Sequence, residues 1–284
     1  MERLPTKFTF ALMVLSALAM PSRTSGQTTE PDQAPPAGSP TSTPPQAPTA
    51  SPDPQPATVA ERPVSWKLLL PNLIADQERM WTFPAKLVQG QSLIPTSAVL
   101  GATAGLLALD PAEAAYFHRS STFQSFNNFF NSNATIMGTI AAPVSLYAFG
   151  LIRKDAKMQR TALFAGEAVA DAEILTTVLK DATKRVRPAG IPAGRNYSDS
   201  WFDSGGSFLR GNGSFPSGHT IAAFSVATVI ARRYGNHRWV PYAAYGLAAV
   251  VGFSRLSLSA HFLSDVFMGG ALGYSISRFT VLRQ

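Results

Sequence analysis

The sequence predicts an all-α protein, a helical bundle of about six core helices. The apolar stretches beyond Glu61 are long, they are rich in Ala, Leu and Gly, and they lack the strict alternation of apolar and polar residues that marks β-strands. The chain has 284 residues, of which 45% are hydrophobic, so one or two ordinary domains can bury a core. Six helices of this kind form one bundle.

The chain begins with a segment that has the layout of a secretory signal. Arg3 and Lys7 precede a charge-free, mostly apolar run from Phe8 to Ala19, and small residues follow. This run is too short to span a bilayer comfortably. We therefore interpret residues 1–26 as a signal peptide, or as a signal anchor if the segment stays uncleaved.

Residues 27–60 are predicted to form a disordered linker rich in Pro, Ser and Thr. They contain ten Pro and nine Ser or Thr but no Lys, Arg or aromatic residue, so they cannot bury enough apolar surface to fold. Their proline content favours a semi-extended spacer. The folded helical domain is accordingly expected over residues 61–284.

The bundle is predicted to begin with an amphipathic segment, followed by the six helices. The segment from Trp66 to Lys86 is expected to pack on the bundle, and a membrane surface is the alternative. The long apolar stretches predict helices at Leu93–Leu109, Ala134–Ile152, Thr161–Lys180, Ser217–Arg232, Val240–Ser254 and His261–Val281.

Cysteine and charge content narrow the possible functions. The sequence has no cysteine, which excludes disulfide scaffolds, thiolate zinc sites, iron–sulfur clusters and cysteine nucleophiles. Beyond residue 60 the chain holds 21 basic and 13 acidic residues, a balance that favours anionic partners. Only 14% of the residues are charged, whereas nucleic-acid binders carry dense basic stripes, so no nucleic-acid partner is predicted.

The first of three motifs lies at the end of the third predicted helix, from Lys180 to Pro188. Pro188 disfavours helical geometry at Arg187, so the helix is expected to end there. Lys180 and Arg187 can then converge on one point, and two cations suit the oxygens of a phosphate group. For this motif alone, a basic helix end that complements the helix dipole is the alternative.

The second motif, Gly213–His219, opens the fourth predicted helix. Pro216 suits the first helical position. The amides that follow would then point outward as an anion site, at Ser217, Gly218 and His219. His219 would stand where it can protonate a departing oxygen. A plain helix start with a solvated histidine is the alternative.

The third motif runs from Ser254 and Arg255 to His261 and Asp265. His261 and Asp265 are four residues apart, so on a helix the Asp265 carboxylate can hold one imidazole nitrogen and leave the other free to attack. Arg255 would donate to an equatorial oxygen of the phosphate. An ordinary surface salt bridge and a capped helix start are the alternatives for Arg255 and His261.

Together the three motifs fix eleven residue types in order, each matched by chance at about one in twenty. Lys180–Pro188, Pro216–His219 and Ser254–Asp265 resemble the three-part signature of the phosphatidic acid phosphatase type 2 and haloperoxidase superfamily. The bacterial non-specific acid phosphatases share this signature. The resemblance covers roughly residues 161–280, and every signature position is present.

The resemblance implies a role for each signature residue. His261 would be the nucleophile that forms a phosphohistidine, Asp265 would orient it, and His219 would be the general acid. The phosphate-binding residues would be Lys180, Arg187, Ser217, Gly218 and Arg255. No metal site and no cofactor are expected, and vanadate would occupy the pocket only in a vanadium haloperoxidase.

The predicted function is that of an extracytoplasmic, metal-independent phosphatase. Its substrate would be a phosphorylated lipid or a small organic phosphate. A vanadium-dependent haloperoxidase and a phosphate-binding protein without turnover are the alternatives. The loop 189–212 is expected to lie over the site, where loops often select the substrate.

The predicted location is periplasmic or secreted, with membrane association. The stretches Leu87–Leu109 and Ala134–Ile152 are long and apolar enough to cross a bilayer. The next helix carries Glu167, Asp171 and Glu173, which are costly in lipid, so a soluble bundle is the alternative. We expect these carboxylates to form a solvated helix face rather than to steady the basic pocket.

Overall fold

The computed structural model of the protein describes residues 61–192, 194–206 and 209–283. The predicted leader 1–26 and linker 27–60 lie outside the described residues. Within the described ranges the regular structure is helical, without a strand, which confirms the predicted all-α bundle.

The α-helices, in chain order, are α1 (Leu69–Trp81), α2 (Phe83–Val88), α3 (Leu93–Arg119), α4 (Gln124–Phe129), α5 (Ser132–Ile152), α6 (Ala156–Thr183), α7 (Gly218–Arg233), α8 (Trp239–Ser257) and α9 (Leu263–Ser275). A short 3₁₀ helix, Pro188–Gly190, follows α6, and a π-helical turn, Ile276–Val281, continues α9.

The six predicted core helices correspond to α3 and α5 to α9, but two boundaries differ in ways that affect the site. Helix α3 continues through Pro111, because Asp110 accepts tertiary hydrogen bonds from Arg185 and Ser264 that hold this turn in place. Helix α9 begins at Leu263 rather than at His261. The Asp265 carboxylate caps it by accepting the Phe262 N–H at 2.9 Å, which leaves His261 in the preceding loop.

Helix α6 is central, packed against α5, α7 and α1, while α7 also contacts α8 and α9. The largest buried cluster includes Phe164 and Ala168 of α6, Ile221 and Val229 of α7, and Ile276. Gly269 lets α9 approach α7 closely, because a Cβ there would lie 2.9 Å from the Ser217 carbonyl oxygen. This packing brings the starts of α7 and α9 together.

Helix α1 packs on the bundle through its polar face and turns apolar side chains outward. Gln77 donates to the Asp171 carboxylate of α6 at 2.8 Å, and Asp76 is fully buried. On the other side Leu70 is 65% exposed and Ile74 is 61% exposed. The predicted packing on the bundle is therefore confirmed. However, α1 turns its polar face inward and its apolar face outward, whereas a helix that covers an apolar core in water does the opposite.

A buried ionic cluster joins α1, α6 and the C-terminal turn. Arg62 Nη1 lies 2.6 Å from Asp76 Oδ2, and the same guanidinium pairs with Glu167. Arg283 also pairs with Asp76, and Asn72 Nδ2 donates to Glu167 Oε1 at 2.8 Å. The cluster satisfies carboxylates that would otherwise be costly to bury.

The predicted solvated face of Glu167 and Asp171 is therefore wrong. Both residues are buried, because α1 covers this side of α6 and supplies Arg62, Asn72 and Gln77 as partners. The sequence pattern of α6 alone does not show that a helix from beyond the bundle supplies these partners. Of the three carboxylates, only Glu173 is exposed.

Removing one carboxylate of this cluster should destabilise the fold strongly. Asp76→Ala is expected to lower the free energy of unfolding by about 3 kcal/mol, because two arginines lose their partner in a buried site. Denaturant unfolding followed by circular dichroism measures this. Glu78→Ala, on the exposed side of α1, is the control, with an expected change within about 0.5 kcal/mol. Equal effects of the two substitutions would contradict the prediction.

Two helices in the described part of the chain are long and apolar enough to cross a membrane. They are α3, and α5 from Asn133 to Ile152. Only 11% of the most apolar window of α3 and 17% of that of α5 are buried inside the protein. Both helices therefore present apolar surface outward, like α1.

Candidate active site

The three motifs meet where α6 ends and where α7 and α9 begin. The Ser214 amide donates to the Arg185 carbonyl at 2.7 Å, which joins the second motif to the first. The Ser217 amide donates to the Asp265 carbonyl at 3.1 Å, which joins the second to the third. The signature residues, far apart in sequence, therefore lie in one place, as predicted.

His261 is buried in the centre of this junction, with 1% of its surface exposed. Its Nδ1 lies 2.7 Å from the Ser214 carbonyl oxygen, which can only accept, so Nδ1 carries the proton. Its Nε2 is buried and has no hydrogen-bond partner among the described residues. The tautomer set by Ser214 therefore leaves the Nε2 lone pair available for attack.

Asp265 does not hold His261 as directly as the four-residue spacing suggested. His261 Nδ1 lies 3.6 Å from Asp265 Oδ2, too far for a good hydrogen bond. The two residues are linked through Ser214, whose hydroxyl donates to Asp265 Oδ2 at 2.5 Å and whose carbonyl accepts from His261. The physical reason is that His261 precedes α9, so the pair lacks full helical geometry.

Two cations, Lys180 and Arg187, lie near the imidazole, and a third, Arg255, lies near Arg187. Gly218 packs against one of them, because a Cβ there would lie 3.4 Å from Lys180 Nζ. Burial, and secondarily the charge of Arg187, lowers the pKa of Lys180 to about 8. Burial, and secondarily the same Arg187 charge, lowers the pKa of Arg255 to about 10. This mutual repulsion in a buried site marks a pocket that favours an anion.

His261 is held neutral by the same surroundings. Burial lowers its pKa to about 4, and the charges of Arg187 and Lys180 act in the same direction. The Asp265 carboxylate opposes them. Near neutral pH the imidazole is therefore an uncharged nucleophile rather than a cation.

Arg255 connects the pocket to the helices behind it. Its guanidinium donates to Thr135 Oγ1 at 2.9 Å and to the Phe130 carbonyl, both next to the start of α5. Its own carbonyl accepts the amide of His261 at 3.2 Å. Arg255 is thus neither exposed nor in a surface salt bridge, and its backbone helps to place the nucleophile.

The start of α7 differs from the predicted anion site in one respect. The helix begins at Gly218, with Ser217 as its N-cap, so Pro216 precedes the helix instead of opening it. The Ser217 amide is used by the Asp265 carbonyl and is not directed at an anion. Gly218 and His219 form the first turn, where amides and the helix dipole favour negative charge.

Three polar residues of the site were not predicted from the sequence. Arg185 and Asp110 are buried and bonded to each other and to the start of α9, and Ser214 links His261 with Asp265. One signal pointed to Asp110. A carboxylate in a long, mostly apolar helix requires a partner when it is buried. Nothing in the spacing identified Arg185 as that partner.

The arrangement is suited to phosphoryl transfer. The described residues contain no group of three or more His, Asp or Glu that could hold a metal ion. The charge needed around a transferring phosphoryl group is present instead on Lys180, Arg187 and Arg255. The eight predicted site residues thus lie in or beside one junction, and which of them act in catalysis remains a proposal.

Comparison with known proteins agrees with this geometry. Residues 161–284 match the family model of the PAP2 superfamily. A lipid A 1-phosphatase of Porphyromonas gingivalis is 43% identical over 61 residues, which cover 21% of this chain and 14% of that protein. Phosphatidylglycerophosphatase B of Bacillus subtilis is 36% identical over 108 residues, or 35% of this chain and 46% of that protein. The chain thus spans less than two thirds of either relative.

A solved structure is also similar. The transmembrane PAP2 type phosphatidylglycerolphosphate phosphatase from Bacillus subtilis shares 20% sequence identity, over 75% of this chain and 92% of that one, with a TM-score of 0.36. A score this low carries no structural argument. Residues 161–284 of this chain, which carry the three motifs, thus match the PAP2 superfamily.

Proposed function

We propose that the protein is a metal-independent phosphatase that hydrolyses phosphate monoesters through a phosphohistidine. The observation that carries the proposal is the buried, neutral His261, with its Nδ1–H held by the Ser214 carbonyl and its Nε2 unpartnered among the described residues. An imidazole held in this way beside a cationic pocket is prepared to attack phosphorus.

In the first step the Nε2 lone pair attacks the phosphorus atom of the bound monoester. An N–P bond forms, and the bond between phosphorus and the ester oxygen breaks. His219 gives its proton to the departing alkoxide, which leaves as an alcohol. In the second step water loses a proton to His219 and attacks the phosphohistidine, so that inorganic phosphate leaves and His261 returns to its neutral form.

The cations stabilise charge that is spread over the equatorial oxygens. In this proposal Lys180, Arg187 and Arg255 bind those oxygens, and their charges are present before the substrate arrives. Groups that are oriented in advance cost no reorganisation during the reaction. This electrostatic contribution takes the role that a metal ion has in other phosphatases.

We infer that the substrate is a lipid phosphate and that the site faces the outside of the cytoplasmic membrane. The two sequence relatives carry the names of lipid phosphatases, which supports a lipid substrate. The outward apolar surfaces of α1, α3 and α5 support membrane association. The signal-like segment 1–26 supports an extracytoplasmic site.

The proposal is tested by measuring phosphate release by the purified full-length chain in mild detergent with EDTA present. Short-chain phosphatidic acid and para-nitrophenyl phosphate are compared in parallel. Release from both, with higher kcat/KM for the lipid, is expected. Release only after a divalent metal is restored would contradict metal independence. Preference for the aryl phosphate would contradict the lipid substrate, and absence of release from both by folded protein would contradict the phosphatase.

A further inference from the structure

Arg185 lies in the first motif but occupies none of its signature positions. Its side chain is 2% exposed, and its guanidinium carbon lies 3.8 Å from the ring centre of Phe262 and 4.5 Å from that of Trp201. Held between two rings, the guanidinium has one orientation, in which Nη1 donates to Asp265 Oδ1 at 2.6 Å.

Asp110 holds the other side of this guanidinium. Arg185 Nη2 lies 2.6 Å from Asp110 Oδ2. The same carboxylate accepts the Ser264 hydroxyl at 2.5 Å and the Ser264 amide at 3.0 Å. Asp110 belongs to α3, outside residues 161–284 that match the family model, so a helix beyond the matched domain reaches the catalytic centre.

We propose that Arg185 and Asp110 are positioning residues of the catalytic centre. Arg185 fixes the Asp265 carboxylate, and Asp110 fixes Arg185. Neither touches the substrate, and the proposal rests on the function proposed above, because it acts through His261.

The hydrogen bonds show how the position is transmitted. Asp265 Oδ2 accepts from the Ser214 hydroxyl and from the Phe262 amide, and Oδ1 is bonded to Arg185. Without the hydrogen bond from Arg185 to Oδ1, the Asp265 carboxylate can rotate. Ser214, whose carbonyl orients His261, is then held less firmly by this carboxylate. Groups that reach a catalytic residue only through intervening hydrogen bonds often control its geometry in this way.

The hydrogen-bonded residues around His261 also affect its protonation through their charges. The charged groups that face His261 are Asp265 from α9 and Lys180 and Arg187 from the end of α6 and the following loop. Arg185 and Asp265 are also faced by Asp110 and Glu113 from α3. Removing Arg185 makes this surrounding more negative, which favours imidazolium. Removing the Asp110 charge makes it more positive, which disfavours imidazolium.

The two substitutions should therefore shift the pKa of His261 in opposite directions. Arg185→Gln should raise the pKa of His261 by about half a unit or more and shift the acidic limb of the kcat/KM profile to higher pH. Asp110→Asn should move the same limb to lower pH. In the double variant the two charge changes offset each other, so the limb should return towards that of the wild type. Arg185→Lys, which keeps the charge, should not move it.

The experiment compares these variants with the wild type in the full-length chain, by kcat and KM for para-nitrophenyl phosphate between pH 3 and pH 8. We expect kcat to fall about tenfold or more for Arg185→Gln and less for Asp110→Asn, with KM within about twofold. Glu61→Gln, which breaks the partly exposed pair with Arg233 at the far end of the bundle, is the matched control and should leave kcat unchanged.

A second readout does not depend on turnover. The chain has four histidines, so its ¹⁵N-histidine spectrum is simple, and the signal that His261→Ala removes reports the protonation of His261. Opposite shifts in its titration support the proposal even if no substrate is turned over, in which case the proposed function alone fails. Titration curves unchanged in folded Arg185→Gln and Asp110→Asn would overturn it. A fall in kcat that only follows a loss of thermal stability would overturn it also.

Discussion

Replacing His261 by Ala is expected to reduce turnover by about 10⁴-fold or more, equally for lipid and aryl phosphates. The loss follows from the removal of the proposed nucleophile, because water must then attack directly without an oriented imidazole. Removing a nucleophile typically leaves the rate provided by electrostatic stabilisation alone. The measurement is kcat/KM for both substrates with the purified variant.

The cost of this substitution to folding must be separated from its cost to catalysis. Ala at position 261 leaves the Ser214 carbonyl without its donor and opens a small cavity, so a loss of about 1 to 3 kcal/mol in unfolding free energy is expected. Circular dichroism at the assay temperature verifies that the variant is folded. His118→Ala, at an exposed histidine near the end of α3, is the matched control and should retain full activity.

The proposed covalent intermediate gives a second test of the same residue. A nitrogen–phosphorus bond is labile in acid and stable in alkali, so an alkaline quench during turnover should retain labelled phosphate on wild-type protein. The label should be absent from His261→Ala. Retention of the label by that variant, or of more than about one hundredth of the wild-type rate, would assign the nucleophile to another residue.

The fold was largely predictable because the length and apolar composition of a stretch are local properties of the sequence. The predicted helices beginning at Leu93 and ending at Ile152 agree with the structure at those boundaries. The two boundary errors have different causes. Helix α3 passes through Pro111 because Asp110 is held by Arg185, a tertiary contact that neighbours in sequence do not indicate. Helix α9 starts late because Asp265 caps it through the Phe262 amide, a local contact that was overlooked when His261 and Asp265 were placed on one helix.

The site was predictable where chemistry depends on residue type and spacing. Lys180, Gly218 and His261 are brought together as the motifs indicated. The supporting residues were not predictable, because Asp110 and Arg185 are 75 residues apart and nothing local indicates their contact. The same reason explains the error at Glu167, whose partners Arg62 and Asn72 are supplied from before the bundle.

Replacing His219 by Ala should produce a loss that depends on the leaving group. His219 is the second residue of α7, in the turn that contains Gly218 and lies next to Lys180. As the proposed general acid it would protonate the departing oxygen, a contribution of about 10²- to 10⁴-fold when that oxygen leaves as a strongly basic alkoxide. We expect a loss of this size in kcat/KM for short-chain phosphatidic acid.

With para-nitrophenyl phosphate the same substitution should cost less than about tenfold. Nitrophenolate is a weak base that leaves without a proton, so it needs no general acid. The ratio of the two losses is therefore the measurement, and it cancels any general effect of the substitution on folding or on phosphate binding. A series of aryl phosphates of rising leaving-group basicity should give a steeper dependence of rate on basicity in His219→Ala than in the wild type.

The two histidines are thus separated by kinetics. His261→Ala should lower the rates of both substrates together, because every substrate needs the nucleophile, whereas His219→Ala should lower them unequally. Equal losses of alkyl and aryl substrates in His219→Ala would contradict its role as the acid. That result would leave His219 a part of phosphate binding at the start of α7, where the helix dipole and the first-turn amides already favour an anion.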